Sequence, residues 1–268
     1  MKNCDKDSAV SLSVENGIAT LCLNRPDAGN AINKEFLDAF DEATLICGDD
    51  SNIRAVVIIA KGSKFCVGGD IQPMIDQHKS GTLSAYIRKS NAQVQGALAR
   101  LYRMSAPSVV AVDGAVAGGG VSLVASADIV VATDNARFVC AYPGIGYCSD
   151  MGGSWMVTKR MGLSRARRFY LMHEELNARE AEKAGLVDYV VDAESVTGEV
   201  KKIADRWASG PTKAYSEIRQ LMRCADQTSY ETQMELETQL LAGLTKTADA
   251  GEALNAFMEK REPRYQGT

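Results

Sequence analysis

The sequence predicts an α/β fold in which parallel strands are joined by helical crossovers, with a helical extension at the carboxyl end. Three observations carry this expectation. RAVVIIAKG (54–62), PSVVAVDG (107–114) and ADIVVATDNARFV (127–139) are short, nearly continuous apolar runs, as strands buried on both faces require. Segments of helical period lie between them. Beyond about Met151 the strand-like runs thin out and helical patterns take over.

In chain order, VSLSVENGIATLCLNR (10–25) alternates apolar and polar residues around Glu15-Asn16-Gly17, the pattern of a β-hairpin. NKEFLDAFDEATLICGDD (33–50) spaces Phe36, Leu37, Phe40 and Leu45 at helical intervals and predicts a helix closing at Gly48. The run at 54–62 follows as a buried strand. A polar, helix-leaning segment extends from Ile71 to Met104. The strand at 107–114 leads through glycines into a helix, AVAGGGVSLVASA, and 127–139 returns to strand. Near the end, EVKKIADRWAS, PTKAYSEIRQLMRCA, TSYETQMELETQLLAGL and DAGEALNAFMEKR read as helices. The basic run TKRMGLSRARR (158–168) reads as a solvated or interface helix face.

Composition narrows the function. Of 268 residues, 46% are hydrophobic and 24% charged, and the net charge of −4 gives no reason to expect nucleic acid or an anionic membrane as partner. No apolar run approaches the ~20 residues that span a bilayer. The amino-terminal MKNCDKDSAV lacks the apolar core of a secretory signal, and seven dispersed cysteines without CxxC spacing read as reduced thiols, so a cytoplasmic protein is expected. His78 and His173 are too few and too isolated for a metal site or a histidine triad, and no metal is expected. The chemistry then falls to carboxylates, tyrosines, thiols or the backbone.

Two stretches place glycine where backbone amides are free to donate: KFCVGGDI (64–71) and GAVAGGGVSL (114–123). Two such amides converging on one carbonyl oxygen form an oxyanion hole; a tight turn is the plainer use of either stretch alone. GAVAGGG matches neither a dinucleotide fingerprint nor a phosphate loop. In AYPGIGYCSDMGGSW (141–155) the lone acid Asp150 suits either a helix N-cap or catalysis.

In this order, LNRPDAGNAINKEF, KFCVGGDI, APSVVAVDGAVAGGGVSLVASADIVVA and EAEKAGLVDYVV resemble the crotonase superfamily of enoyl-CoA hydratases and isomerases, from about residue 10 to the end. The resemblance implies a ββα spiral core over 1–200 that binds acyl-CoA, and a helical trimerisation region over 201–268, in a homotrimer or homohexamer. It places the thioester carbonyl between the amides of Gly69 and Gly119. Coenzyme A arrives as part of the substrate, with no tightly bound cofactor, and Arg25, Gly68, Asp70 and Lys260 fall where the family contacts it.

The hydratases' two glutamates are matched here by Ser122 and Tyr142, so a standard hydratase is not expected. GIGYCSDMGGSW resembles the segment in which other members carry an aspartate, among them enoyl-CoA isomerases and the ring-epoxide isomerase of phenylacetate breakdown. The dehalogenases also use that aspartate, but Gln95 stands where they carry a histidine. The resemblance therefore implies an isomerase with Asp150 as proton shuttle, and Tyr142, Ser122 and Ile145 about the substrate pocket. Ile145, Met151 and Trp155 are expected to desolvate Asp150 and raise its pKa. An atypical hydratase, a thioester hydrolase or dehalogenase with Asp150 as nucleophile, and a non-catalytic acyl-CoA binder remain as alternatives.

Overall fold

The structure is a computed structural model that describes residues 8–268; Cys4 and most of the stretch read for a secretory signal lie outside these residues. β1 (Val10–Glu15) and β2 (Ile18–Leu23) pair antiparallel, Val10 opposite Leu23 and Glu15 opposite Ile18. Asn16 and Gly17 turn the hairpin with φ of 49° and 77°, as a two-residue turn matched to strand twist requires. α1 (Lys34–Asp49) starts where the Asn33 side chain accepts from the Phe36 amide, and it runs through Gly48 instead of closing there. β3 (Ala55–Ala60) pairs parallel with β2.

A strand of three residues, β4 (Lys64–Cys66), then leaves the first sheet. The segment read as one helix is two, α2 (Ile71–Lys79) and α3 (Leu83–Arg103), divided at Gly81 where φ is +74°. β5 (Ser108–Val112) returns to the first sheet, β6 (Ala115–Ala117) pairs with β4, and α4 (Gly119–Ala125) follows. The run at 127–139 is likewise two strands: β7 (Ile129–Thr133) in the first sheet and β8 (Arg137–Val139) in the second. From β3 onward, three successive turns of the chain thus give one strand to a large sheet, one to a small sheet, and then helix.

α5 (Gly153–Met161), α6 (Leu163–Leu171), β9 (Glu175–Asn177), α7 (Ala178–Ala184) and β10 (Tyr189–Val191) complete the spiral. The large sheet has the order β1-β2-β3-β5-β7-β10 and the small one β4-β6-β8-β9.

The unbroken apolar runs have a direct cause. Val56 and Ile58 of β3, Val110 and Val112 of β5, and Val130 and Ala132 of β7 face the main core with Phe36, Phe40 and Leu98. Ala55, Val57, Val109 and Val131 face the other way, onto Val200 and Ala204 of α8 (Val196–Ala208). Both faces of the sheet are covered, so these strands are apolar except at the ends, where Ser108 and Thr133 stand. The expected division at 200/201 falls inside α8.

α9 (Thr212–Cys224), α10 (Tyr230–Leu244) and α11 (Ala248–Glu259) follow. Arg219 of α9 is buried, pairs with Asp128 at 2.8 Å, and donates to the carbonyls of Leu101, Tyr102, Met104 and Ala106 at the end of α3. Among the described residues, no helix is long and apolar enough to cross a membrane.

Candidate active site

The two glycine stretches meet because β4 and β6 are neighbours. A Cβ on Gly68 would lie 2.9 Å from the Ala117 carbonyl oxygen and 3.3 Å from the Gly119 nitrogen, and φ of +87° suits glycine there. The strands' ends are therefore in backbone contact. A bridge between Ile32 and Gly69 holds the first loop from the other side: the Ile32 amide donates to Gly68 O at 2.8 Å and the Asp70 amide to Ile32 O at 3.0 Å. No hydrogen bond among the described residues engages the amide of Gly69 or of Gly119. Gly119 opens α4, where a first-turn amide has no helical acceptor.

Asp150 comes to this point from the far end of the fold. A Cβ on Gly119 would meet Met151 Sδ at 2.7 Å, Ile32 Cδ1 at 3.3 Å and Asp150 Oδ1 at 3.7 Å. Met151 and Gly152 both have left-handed backbone, φ 54° and 73°, and reverse the chain just before α5. For Met151 that conformation is unfavourable, and such strain concentrates at functional sites. The helix-cap reading of Asp150 fails here. Gly152 holds the N-cap position with no side-chain cap, and it is the Asp150 main-chain carbonyl that accepts from Gly153 at 2.8 Å.

The carboxylate faces inward. Tyr142 Oη donates to Asp150 Oδ1 at 2.6 Å, and Ser122 Oγ donates to the Asp150 carbonyl at 3.1 Å. Burial raises the Asp150 carboxyl above the ordinary range, and the hydrogen bond from Tyr142 works against that rise. Burial, with the nearby Asp150 charge second, pushes the Tyr142 phenol up, so it remains a donor. Tyr170, whose hydroxyl accepts from Ser149 at 3.3 Å, is pushed up to about 12 by burial and stacks near Tyr142 with ring centroids 6.5 Å apart.

Other expected site residues are placed differently. Ser122 is completely buried, and a Cβ on Gly153 would lie 2.1 Å from its Oγ. It therefore stands behind Asp150 and does not line a pocket; a glutamate has no room there. Tyr142 likewise turns its hydroxyl to Asp150 and Ser122 and not outward to an acyl group. Ile145, expected to cover Asp150, is 52% exposed on the 3-10 turn at 143–145, and Trp155 packs edge-on against Tyr102. Met151, only 5% exposed, is where it was expected.

Arg25 points its guanidinium at the Ala31 carbonyl and at Asp70 Oδ2, 3.4 Å away; Asp70 also caps α2. Lys260 ends α11 in left-handed backbone and is exposed, and no hydrogen bond or ion pair of the described residues links it to Asp150, Gly69 or Gly119. Sequence reasoning missed Ile32 beside Gly119, Met74, whose sulfur would meet a Cβ on Gly69 at 3.5 Å, and Tyr170.

The profile of the family described as enoyl-CoA hydratase/isomerase matches residues 13–268. The trans-2-decenoyl-[acyl-carrier-protein] isomerase of Streptococcus mutans is 30% identical over 255 residues, covering 95% of this chain and 97% of the relative. The 1,2-epoxyphenylacetyl-CoA isomerase of Escherichia coli is 32% identical over 258 residues, with 95% and 97% covered. The crystal structure of an enoyl-CoA hydratase from Polaromonas sp. JS666 superposes with a TM-score of 0.89 at 28% identity, covering 96% of this chain and 99% of the other.

Proposed function

The chain belongs to the enoyl-CoA hydratase/isomerase family, and from that premise we propose that it is an isomerase, moving a double bond or rearranging a ring in an acyl thioester. One observation carries the reading. Asp150 places a half-buried carboxylate beside Gly119, while the two positions where hydratases of the family carry glutamates hold a buried serine and a tyrosine bonded to that same aspartate.

In this mechanism the substrate's thioester oxygen lies between the amides of Gly69 and Gly119. Asp150 removes a proton from C2 or its vinylogous position; the C–H electron pair moves into the conjugated chain and charge collects on the thioester oxygen. The fixed amides stabilise that charge more than they stabilise the neutral carbonyl, typically by ~3 kcal/mol per donor. Protonated Asp150 then returns its proton at another carbon and the thioester is restored. Burial makes Asp150 a stronger base than a solvated carboxylate, which suits removal of a weakly acidic proton.

The coenzyme A portion is assigned to the loop around Arg25 and to Gly68 and Asp70, with Lys260 serving a neighbouring subunit. An assembly of three or six copies is supported by the apolar residues that α11 leaves open, Phe257 and Met258 at about 80% exposure. Cytoplasmic action is supported by the cysteines at 47, 66, 140, 148 and 224, which form no disulfide among the described residues.

The test is incubation of the protein and its Asp150→Asn variant in heavy water with 3-enoyl-, 2-enoyl- and aromatic-CoA thioesters, followed by mass spectrometry. Deuterium uptake or a shifted double bond that depends on Asp150 supports the isomerase. Addition of water, release of free acid, or binding without turnover would each replace it.

A further inference from the structure

Two hydroxyl groups converge on Asp150 from separate elements. Tyr142, 8% exposed, donates to Oδ1 at 2.6 Å, and Ser122, on α4, donates to the main-chain carbonyl at 3.1 Å. The two hydroxyl oxygens are 3.3 Å apart. Each hydroxyl has a single proton, and both protons are directed at the same residue. Gly153 packs against the Ser122 side chain, and the Tyr170 ring lies beside that of Tyr142.

We propose that Tyr142, backed by Ser122, is a positioning residue that fixes the orientation in which the Asp150 carboxylate takes and returns the substrate proton. This rests on the isomerase reading. A carboxylate that turns freely about its last bond presents either oxygen and any mixture of angles to the substrate. A short hydrogen bond to Oδ1 removes that freedom, and catalysis by a positioned group depends on it. In the forward step a C–H bond breaks, an O–H bond forms on the Asp150 carboxylate, and the electron pair passes toward the thioester oxygen. In the return step that O–H bond breaks and the new C–H bond forms. Tyr142 keeps its proton throughout.

The same bond tunes the base. A hydrogen bond to an ionised acceptor is stronger than one to its neutral form, so Tyr142 favours the carboxylate and offsets part of the burial penalty. The titratable groups facing Asp150 are Tyr142 from the 142–145 turn and Tyr170 from α6, with the Cys140 thiol behind Tyr170. Gly119 and Ser122 of α4, Ile32 and Met151 bring no charge. Burial is the larger influence on the Asp150 carboxyl, and Tyr142 is the side chain that opposes it.

The experiment is a ¹³C NMR titration of protein labelled at the aspartate carboxyls, with the Asp150 signal assigned by its loss in Asp150→Asn. In Tyr142→Phe, which keeps the ring, the Asp150 midpoint rises by about one pH unit. Ser122→Ala moves it in the same direction by less. With a 3-enoyl-CoA substrate, Tyr142→Phe lowers kcat about tenfold while KM stays within about twofold, and the acid limb of the rate profile follows the NMR midpoint upward. Unchanged midpoints and an unchanged acid limb in Tyr142→Phe and Ser122→Ala would overturn the proposal. A Tyr142-dependent midpoint in a protein that exchanges no thioester proton would uphold the coupling and remove the isomerase reading instead.

Discussion

Tyr142 Oη and Asp150 Oδ1 are 2.6 Å apart, and the two residues, eight positions apart in the chain, enter the site from opposite ends of one loop. Between them the chain makes a 3-10 turn at Pro143–Ile145 and then runs without regular structure to the left-handed Met151. The bond closes this loop across its base, while Tyr147 and Cys148 remain exposed. Removing the carboxylate should therefore remove function without removing the fold. Asp150→Asn, which keeps an oxygen for the phenol to donate to, is expected to lower turnover of an enoyl thioester by about 10²–10⁴-fold, the usual worth of a positioned general base. Steady-state kinetics with a folded-state check by circular dichroism tests this; full activity in the variant would take Asp150 out of the chemistry.

The same substitution predicts a pH-dependent change in stability. Burial raises the Asp150 pKa in the folded state, so its charged form is disfavoured there relative to the unfolded chain. The stability associated with this group is complete below its unfolded pKa of about 3.9 and is lost as pH rises through the higher folded value. Asp150→Asn is uncharged at all pH and escapes that loss. The variant should exceed the parent in stability at neutral pH, by up to about 1 kcal/mol, and the difference should vanish on acidification. Urea unfolding at several pH values measures it, and a gap independent of pH would mean that burial does not reach the carboxylate.

Rate and pH are linked through the same group. Asp150 works as a base only when ionised, so turnover should fall on acidification, with a midpoint above that of an ordinary carboxylate. Tyr142 stays protonated through this range and adds no second limb of its own. A kcat profile that is flat down to the usual carboxylate range would contradict the burial seen around Asp150.

The parts of this arrangement legible in the sequence are those set by local chemistry. Asn16-Gly17 announces its hairpin because two left-handed residues are needed there, and β3, β5 and β7 show as apolar runs because both faces are covered. The strands β4, β6, β8 and β9 were not legible as a second sheet. Three residues carry no period, and their pairing joins segments as far apart as Lys64 and Ala115. The glycine stretches and Asp150 showed the right residue types but left their purpose open, as turn or amide donor and as cap or base. The approach of Gly119, Met151 and Asp150 across the chain supports the amide-donor and base readings, and the left-handed Met151 has no sequence signal at all.

Adjacent glycines in α4 should separate packing from chemistry. A Cβ on Gly120 would lie 2.3 Å from the Cys66 carbonyl oxygen, a backbone atom of β4 that cannot yield without moving the strand. Gly120→Ala should cost about 3 kcal/mol or more, seen as a lower unfolding midpoint. On Gly119 the clash is with the Met151 thioether, a flexible group, and the remaining neighbours are Ile32 and Asp150. Gly119→Ala should stay folded with a loss of about 1–2 kcal/mol but lose most turnover, because its methyl enters the space beside the carboxylate. Equal stability losses in the two variants would remove the distinction.

Arg219 carries the last prediction, one of stability alone. It is 5% exposed, and its guanidinium serves Asp128 and four carbonyls at the end of α3. Asp128 in turn accepts from the Ser108 amide at 2.7 Å, so the pair ties α9 to the start of β5 as well. Replacing the arginine with methionine keeps the apolar stem but leaves buried carbonyls without donors and Asp128 without its cation. The expected cost is about 3–5 kcal/mol, well above that of an exposed pair such as Lys201 with Asp205, which is worth under about 1 kcal/mol. Chemical denaturation of Arg219→Met and Lys201→Met measures the contrast. A cost for Arg219→Met no greater than for Lys201→Met would mean that α9 is held to the core by its apolar contacts and not by this arginine.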